Sequence, residues 1–276
     1  MPFNKTNYFL FSVDLEDFRR ELTSHNIGDN FLYKTVYSYL DLLDKFGWKA
    51  TFFTVGKDAL KCSELIQEIR HRNHEIGCHS FAHDVSMFES KDSFRDDLHE
   101  NIDALNGLGV DEIYGYRSPQ LSFTKNRIWV YEILKENGFI YSSSVLPASN
   151  PLFGWEGFGE KIKKINGIYE IPVSITSIPI FKNIPYAGGI YFRLLPKFLI
   201  KKLFYQTFSD GKPVVGYFHP QDIYHSKGVK YKDFNLFFEK LIKMNTVNNL
   251  EKINDIFDMH LTVIRYKDYI LDNFRK

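Results

Sequence analysis

The sequence predicts an α/β fold with a mostly parallel β-sheet, either open or closed into a barrel. Short apolar segments of strand length alternate with longer segments whose apolar residues recur at helical spacing. Glycines stand where the predicted helices should end, at Gly47, Gly109, Gly138 and Gly211. The chain has 276 residues, of which 44% are hydrophobic, so it can bury one large core. We therefore expect a single domain over residues 1–276.

The alternation of strands and helices runs through most of the chain. The predicted strands are Tyr8 to Asp14, Lys49 to Val55, His74 to Cys78, Ile113 to Arg117, Phe139 to Ser144, Ile168 to Val173 and Val214 to His219. The predicted helices are Phe31 to Phe46, Lys57 to Arg72, Ser93 to Gly107, Lys125 to Asn137 and Pro196 to Phe208. A helix between two strands is typical of parallel strand pairing.

Two stretches interrupt this alternation. Pro147 to Gly167 is rich in turn-forming residues and predicts a long excursion from the sheet. Ser174 to Phe192 is apolar and β-branched, but prolines and the pair Gly188-Gly189 interrupt it. Long loops in compact domains are often lids or binding loops, and an irregular covering of the core is the alternative. Both interpretations stay open.

The C-terminal part, residues 231–276, predicts a mainly helical extension of the same domain. Its predicted elements are two helices and a short strand, at Lys232 to Met244, Asn249 to Phe257 and Leu261 to Arg265. The chain has no internal repeat, low-complexity run or linker that would divide it. We expect this extension to be structural.

Charge and composition argue against several classes of protein. The 35 basic and 34 acidic residues nearly cancel and form no basic stripe, which speaks against a nucleic-acid partner. Residues 1–6 lack the features of a signal peptide, and no apolar run approaches membrane-spanning length. Two cysteines, Cys62 and Cys78, are few for a secreted chain of this size. These observations predict a cytoplasmic protein with no transmembrane segment, and self-association into a homo-oligomer stays open.

Two histidines, His79 and His83, follow the predicted strand that ends at Cys78. Imidazoles four residues apart can bind one cation together, and imidazole is a common ligand of zinc and neighbouring divalent metals. The alternative is a chance pattern among the nine histidines of the chain. Cys78 should point away from His79, because consecutive strand side chains face opposite ways. The pair therefore predicts a metal site.

An acidic cluster follows the first predicted strand and contains Asp14, Glu16 and Asp17. Carboxylates just past a strand can supply a third metal ligand and a general base. Two later strands end in Arg117 and His219, and functional groups collect at the carboxyl ends of strands in parallel α/β folds. Scattered surface residues would not share this placement. It therefore predicts a catalytic site.

Several motifs resemble the polysaccharide deacetylase family with the NodB homology domain, also called carbohydrate esterase family four. They span roughly residues 8–222 in the family's order and comprise Ser12-Val13-Asp14-Leu15-Glu16-Asp17, Ala50-Thr51-Phe52-Phe53-Thr54-Val55-Gly56, His79 to His83, Arg117-Ser118-Pro119 and His219. The first motif resembles the branch with Val-Asp-x-Glu-Asp rather than Asp-Asp. The segment Gly188 to Pro196 is similar to the late motif of that branch.

The resemblance implies a distorted (β/α)₇ barrel of the NodB deacetylase type that removes an acetyl group from an amino sugar with a divalent cation, zinc being preferred. The implied metal ligands are His79, His83 and one carboxylate. Asp14 is the implied general base, and Arg117 pairs with it and orients it. His219 is the implied general acid, which protonates the departing amine.

The carboxylate ligand of the metal is either Glu16 or Asp17. Glu16 lies two residues after Asp14 and so on the same strand face. Asp17 faces the site only if the strand has already ended. We therefore favour Glu16 and keep Asp17 as the alternative.

A departure from the family pattern lies after the fifth strand. The family has Asp-Ser-Ser there, where this chain has Tyr-Ser-Ser-Ser from residue 141. If Ser142 takes the place of the aspartate, the carboxylate that normally supports His219 is absent or replaced. Asp222 is a candidate replacement, although a surface turn is the environment that we expect for it.

The leading functional hypothesis is a metal-dependent N-deacetylase that acts on a sugar of a cell-surface polysaccharide or of its nucleotide- or lipid-linked precursor. The second hypothesis is hydrolysis of another small-molecule amide on the same barrel. The third is a catalytically inactive carbohydrate-binding module. The presence of Asp14 and His219 together speaks against the third hypothesis, because a binding module needs neither a base nor an acid.

Overall fold

A computed structural model describes residues 6–17, 30–149, 153–178, 181–224, 244–246 and 248–274. Its strands are β1 (Tyr8–Leu10), β2 (Ser12–Leu15), β3 (Thr51–Thr54), β4 (Glu75–Cys78), β5 (Gly115–Tyr116), β6 (Tyr141–Ser142), β7 (Lys163–Ile165), β8 (Ile168–Glu170), β9 (Ile175–Ile178), β10 (Phe181–Pro185), β11 (Val214–Val215) and β12 (Thr262–Val263). Its helices are α1 (Phe31–Lys45), α2 (Gly56–Lys61), α3 (Ser63–His71), α4 (Lys91–Gly107), α5 (Val130–Glu136), α6 (Gly189–Leu194), α7 (Lys197–Ser209), α8 (Asn249–Phe257) and α9 (Tyr266–Phe274). The helix predicted at Lys232 to Met244 lies outside the described residues, apart from Met244.

Parallel strands form the centre of the fold. The larger sheet has the order β2-β3-β4-β5-β6-β8-β7, and all its neighbours are parallel except β7 and β8. A smaller sheet with the order β11-β1-β12 is parallel throughout. Strands β9 and β10 form a separate antiparallel pair. The predicted α/β fold with a mostly parallel sheet is confirmed.

The two parallel sheets approach each other at both sides, but strand pairing does not close into a barrel in the described ranges. On one side, Phe11 alone separates β1 from β2, and the Asp14 N–H donates to the Phe218 carbonyl at 2.7 Å. On the other side, the Ser174 N–H donates to the Val215 carbonyl at 3.1 Å, beyond the end of β8. The carboxyl ends of β2, β4 and β5 therefore face the residues that follow β11.

The helices follow the prediction with three differences. Residues 56–71 form two helices instead of one, because Cys62 has φ −126° and ψ 49°, outside the helical region. Helix α5 begins only at Val130, after a 3₁₀ turn at Lys125–Arg127. Helices α6 and α9 and strands β7, β9 and β10 lie in stretches without a clear periodic pattern, so the sequence does not predict them. Over the part of the chain with assigned structure, no helix is both long and apolar enough to cross a bilayer.

Aromatic side chains fill the core between the strands and the helices. Phe11 stacks on Phe218 with ring centroids 4.8 Å apart and meets Phe257 edge-on at 5.3 Å. Phe9 meets Phe204 edge-on at 5.0 Å. Phe257 belongs to α8, so the C-terminal extension packs against the strands that carry the acidic cluster. The structural role of the extension stays a prediction, which this contact supports, and these rings serve packing.

Candidate active site

Polar side chains from several strand ends meet at one edge of the parallel sheet. Strands β2, β4 and β5 end there, and Phe218, which bridges to Val13, brings the chain after β11 to the same edge. The side chains that meet there are those of Asp14, Glu16, His79, His83, Arg117 and His219. All of these except Arg117 line one cleft of about 400 Å³. The structure thus brings together the residues that share strand ends in the sequence.

Three of these side chains form a group that could hold a metal ion. Nε2 of His83 lies 2.6 Å from Oε2 of Glu16, and Nε2 of His79 lies 3.6 Å from the same oxygen. The ligand atoms of the three residues all lie within 4.8 Å of one another. Two imidazoles and one carboxylate are a donor set of catalytic zinc sites, which keep at least one position open.

The environment of Glu16 fits a bound cation. Glu16 is 7% exposed, and its Oε2 makes no hydrogen bond of good geometry to the described residues, although His83 lies within contact distance. Burial acts to raise the pKa of Glu16, but His83 and His79 hold the pKa well below its usual range. An ionised, buried oxygen that faces two imidazole nitrogens suits a divalent cation.

The loop that carries the two histidines is held in a specific conformation. Ser80 and His83 have positive φ angles of 60° and 58°, and this bend brings His83 back toward His79. Asn101 donates Nδ2–H to the Ser80 carbonyl at 2.6 Å. Asp97 accepts two main-chain N–H groups of the loop, at 3.0 and 3.2 Å. Both residues belong to α4, so this helix preorganises the two imidazoles.

His79 is also fixed through its second ring nitrogen. Nδ1 lies 2.9 Å from the carbonyl oxygen of Arg117, and a carbonyl can only accept. Nδ1 therefore carries a proton, and Nε2 is the ring nitrogen that faces Glu16. A hydrogen bond of this kind is the usual way in which a protein orients a metal-binding histidine.

Asp14 lies beside this group and is paired with Arg117. Asp14 is 3% exposed, and Nη1 of Arg117 lies 2.6 Å from its Oδ1. The other oxygen, Oδ2, lies 3.9 Å from Nε2 of His79 and 3.8 Å from Nε2 of His219. Arg117 thus holds one carboxylate oxygen, while the second lies between the two histidines.

Arg117 is fully buried, and each of its nitrogens donates a hydrogen bond. Nη1 also donates to Oγ of Ser12 at 2.6 Å, and Nη2 donates to Oγ of Ser143 at 2.9 Å and to Oη of Tyr266 at 3.1 Å. Nε donates to the Ser143 carbonyl at 2.9 Å, and the guanidinium carbon lies 4.1 Å from the Phe53 ring centroid. A guanidinium held at this many points gives its carboxylate partner one orientation.

His219 lies across the cleft, and Asp222 supports it. Oδ2 of Asp222 lies 3.2 Å from Nδ1 of His219 and accepts the main-chain N–H of His219 at 2.9 Å. Oδ1 of Asp222 lies 3.0 Å from Nε of Arg193. Burial acts to lower the pKa of His219, but the neighbouring carboxylates, above all that of Asp222, raise it to about 9.

The prediction that Asp222 lies in a surface turn is wrong. Asp222 is 1% exposed and ends a 3₁₀ turn, Pro220–Asp222, that folds its carboxylate back onto His219. Ser142 does not take this place, because its Oγ donates to Oγ of Ser144 at 2.7 Å. The carboxylate that supports the histidine therefore comes from three residues further along the chain.

Asp17 lies beside the metal-binding group and is not part of it. Its main-chain N–H donates to Oδ2 of Asp58 at 2.9 Å. Of the two carboxylates that the sequence leaves open as ligands, the geometry favours Glu16.

Several residues of the site are not evident from the sequence. They are Ser12 and Tyr266, which contact the guanidinium of Arg117, together with Ser143 and Arg193. Serines and tyrosines in cores carry no periodic signal that separates them from other buried residues. Arg193 lies in the segment Gly188 to Pro196, whose similarity to a family motif was the one available signal.

Comparison with known protein families agrees with this geometry. Residues 29–139 match the sequence model of the family described as polysaccharide deacetylase. This part of the chain is therefore similar to polysaccharide deacetylases. Residues 143–266 match a second family, described as a domain of unknown function. His79, His83 and Arg117 fall in the deacetylase match, whereas His219 falls in the second one.

One protein of similar sequence and two crystal structures of similar fold are compared with this chain below. A peptidoglycan-N-acetylglucosamine deacetylase of Bacillus cereus is 29% identical over 94 residues, which are 34% of this chain and 34% of that relative, so the match spans about a third of the relative's length. A Mycobacterium smegmatis crystal structure classed as a polysaccharide deacetylase has a TM-score of 0.64 at 20% identity, over 100% of this chain and 92% of that one. The structure of Puue allantoinase has a TM-score of 0.59 at 13% identity, over 100% and 94%. At these identities the two structures show a shared fold.

Proposed function

We propose that the protein hydrolyses the N-acetyl group of an amino sugar in a cell-surface polysaccharide or in its nucleotide- or lipid-linked precursor. The observation that carries the proposal is a single cleft in which the Glu16-His79-His83 group lies between a buried carboxylate, Asp14, and a supported imidazole, His219. Amide hydrolysis uses an electrophilic centre, a base and an acid. The deacetylase match supports an N-acetylated sugar or glycan as the substrate.

Glu16, His79 and His83 would hold one divalent cation, and zinc is the ion that suits this donor set. When bound, the cation would polarise the acetyl carbonyl and lower the pKa of the attacking water. The hydrogen bond from Nδ1 of His79 to the Arg117 carbonyl fixes the ring so that Nε2 would be the nitrogen that binds the cation.

Asp14 would act as the general base. Arg117 holds Oδ1, which leaves Oδ2 to accept the proton of the attacking water. Because Arg117 is itself held by several acceptors, the carboxylate does not have to reorient during the reaction.

His219 would act as the general acid. As the C–N bond breaks, the electron pair goes to nitrogen, and an unprotonated amide nitrogen is a very poor leaving group. Asp222 holds Nδ1–H of His219, so Nε2 faces the cleft and can deliver its proton there. The raised pKa of His219 keeps the ring protonated around neutral pH.

The pH dependence of activity tests the role of Asp222. We expect activity to fall at high pH as His219 loses its proton, because the acid must be protonated. Asp222→Asn removes the charge that raises the pKa of His219, so the upper limb of the profile should move to lower pH, by about 1 to 3 units. Wild type and variant are compared with the same cation bound, which affects both alike. An upper limb at the same pH in both would show that Asp222 does not tune the acid.

A substitution of Lys182 tests whether the substrate carries a phosphate group. Lys182 lies on β10 and lines the same cleft. Among the described residues that line the cleft, it is the one lysine or arginine. A phosphate next to the sugar, as in a nucleotide- or lipid-linked precursor, would pair with this ammonium group. We expect Lys182→Ala to raise KM for an N-acetylated sugar 1-phosphate by about two- to fivefold, the effect of an exposed ion pair, with kcat unchanged.

A neutral N-acetylated oligosaccharide is the matched comparison for Lys182. Its KM should stay the same in Lys182→Ala, and Lys202→Ala, an exposed lysine on α7, should change neither KM. Equal effects of Lys182→Ala on both substrates would contradict recognition of a phosphate and would favour the finished polysaccharide.

One experiment separates the proposed function from the alternatives. Purified protein is incubated with N-acetylated cell-envelope precursors and oligosaccharides, with and without added Zn²⁺, and released acetate is measured. Metal-dependent release supports the N-deacetylase. Binding of these glycans without release would identify an inactive carbohydrate-binding module, and neither binding nor release would point to another small-molecule amide.

We also infer that the sheet is a distorted (β/α)₇ barrel interrupted between β8 and β11, and that the chain forms one domain. The Ser174 to Val215 hydrogen bond across that gap supports the barrel. The contact of Tyr266 with Arg117 supports the single domain, because the two residues belong to different family matches. The cytoplasmic location and the homo-oligomer stay predictions.

A further inference from the structure

The segment Gly188 to Pro196 has no assigned role, although it lies next to the candidate acid. It belongs to the match with the domain of unknown function. The Gly189 N–H donates to the Tyr217 carbonyl at 3.0 Å, two residues before His219. A Cβ atom at Gly188 would lie 1.7 Å from the same carbonyl oxygen. The glycine pair therefore permits α6 to start directly against the backbone that leads to His219.

Helix α6 starts in close contact with the Tyr217 backbone, and Arg193, near the end of the helix, lies beside Asp222. Nε of Arg193 lies 3.0 Å from Oδ1 of Asp222, and the two side chains are 4% and 2% exposed. The other carboxylate oxygen, Oδ2, contacts Nδ1 and the main-chain N–H of His219. Asp222 thus uses one oxygen for Arg193 and the other for His219. Burying a carboxylate is costly unless it is paired and hydrogen-bonded, and Arg193 supplies the buried cation.

Residues from the C-terminal part of the chain fix Arg193 in turn. Nη1 of Arg193 donates to the Met244 carbonyl at 3.2 Å, and Nδ2 of Asn245 donates to the Arg193 carbonyl at 3.1 Å. Nζ of Lys252, on α8, donates to the carbonyls of Phe192 at 2.7 Å and of Leu195 at 2.6 Å. The last carbonyls of α6 are therefore capped from outside the helix, and the side chain of Arg193 cannot leave Asp222 without breaking its bond to the Met244 carbonyl.

We propose that Arg193 is a positioning residue for proton delivery: it holds Asp222 so that Asp222 keeps Nδ1–H of His219 bound and Nε2 directed at the cleft. The proposal rests on the proposed function for its chemical step. The proposal assigns a role to the region that matches a domain of unknown function. This region supplies His219, the candidate general acid, together with Asp222 and Arg193, which position it. Asp14, Glu16 and Asp222 are the charged groups that face His219 in the described structure.

Two substrates with different leaving groups distinguish a positioning role of Arg193 from a purely structural one. When an N-acetyl sugar is cleaved, the nitrogen takes a proton from Nε2 of His219 as the C–N bond breaks. When 4-nitrophenyl acetate is cleaved, the aryl oxygen leaves as a stable anion and needs no proton. A residue that acts through the acid should therefore affect the amide and spare the ester, whereas a misfolded cleft should affect both.

We expect Arg193→Gln to lower kcat for the sugar amide by roughly 10- to 100-fold and the rate on 4-nitrophenyl acetate by less than about threefold. KM and the bound-metal content should stay the same. Arg193→Lys keeps the charge and should recover part of the amide activity. Arg72→Gln, which removes an arginine from a surface ion-pair group, is the matched control and should change neither rate.

A double-mutant cycle tests whether Arg193 acts through Asp222. If it does, Asp222→Asn combined with Arg193→Gln should be no slower on the amide than Asp222→Asn alone. Additive losses would overturn the proposal. Equal losses on amide and ester in a folded, metal-loaded Arg193→Gln protein would overturn it as well, and so would wild-type rates on both. If Arg193→Gln does not fold, Arg193→Lys is tested by the same ratio and the same cycle.

A readout without turnover separates this proposal from the proposed function. The Nδ1–H of His219 should give a hydrogen-bonded proton signal in the imidazole NMR spectrum of the wild type, and Arg193→Gln should broaden or remove it. Persistence of the signal in the variant would overturn the positioning role. If wild type releases no acetate from any N-acetyl sugar, the proposed function fails, and this signal alone decides the role of Arg193.

Discussion

Asp14→Asn should keep the fold and the bound cation but lower the turnover of an N-acetyl sugar by about 10² to 10⁴, the usual cost of losing a general base. The amide that replaces the carboxylate can still accept the hydrogen bond from Arg117, so the buried guanidinium keeps a partner. It cannot take the proton of the attacking water. The measurement is kcat from acetate release, together with metal analysis and the thermal unfolding midpoint of the variant.

Asp17→Asn is the matched control for this substitution, because Asp17 is a neighbouring carboxylate outside the metal-binding group. It should retain most of the turnover. An Asp14→Asn protein whose turnover stays within a few-fold of wild type would show that another group removes the proton.

The second large effect is expected from the metal ligands. His79→Ala and His83→Ala should each lose stoichiometric Zn²⁺ and with it nearly all acetate release, because each removes one of three protein ligands from a site that keeps open positions. The measurement is metal content per chain after dialysis, with turnover on the same samples. Glu16→Gln should behave like the histidine variants, whereas Asp17→Asn should keep the metal.

His99→Ala is the control for the loss of a histidine, because His99 lies on the exposed part of α4 and contacts Asn137. It should bind metal as the wild type does. Unchanged metal content in both His79→Ala and His83→Ala would exclude this site. Loss of metal in Asp17→Asn with retention in Glu16→Gln would move the carboxylate ligand to Asp17.

The two halves of the site differ in how far they can be predicted from sequence. The metal-binding half depends on local features: two histidines follow one strand, a carboxylate follows another, and parallel neighbours bring the two strand ends to one edge. His219 and Arg117 are accessible by the same reasoning. The residues that position His219 and Arg117 cannot be predicted in this way. They come from distant parts of the chain and become neighbours only when the strands and helices pack.

Asp222 illustrates this difference. A sequence of Pro-Gln-Asp after a strand is equally compatible with an exposed turn, and the sequence alone favours that interpretation. The close packing of α6 at Gly188-Gly189 buries the carboxylate, and Arg193 compensates its charge. The choice between Glu16 and Asp17 is similar, since adjacent carboxylates differ only in which one the loop of His83 approaches.

The sequence by itself determined the α/β class, the order of most strands and helices, and the set of reactive side chains at strand ends, because hydrophobic periodicity and strand direction are local properties. Only the tertiary structure decided that Arg117 is fully buried among Ser12, Ser143 and Tyr266, and that Asp222 and Arg193 stand behind His219. Those contacts join residues up to 149 positions apart. Burial and ion pairing at such separations depend on how the strands and helices pack, and no local pattern encodes them.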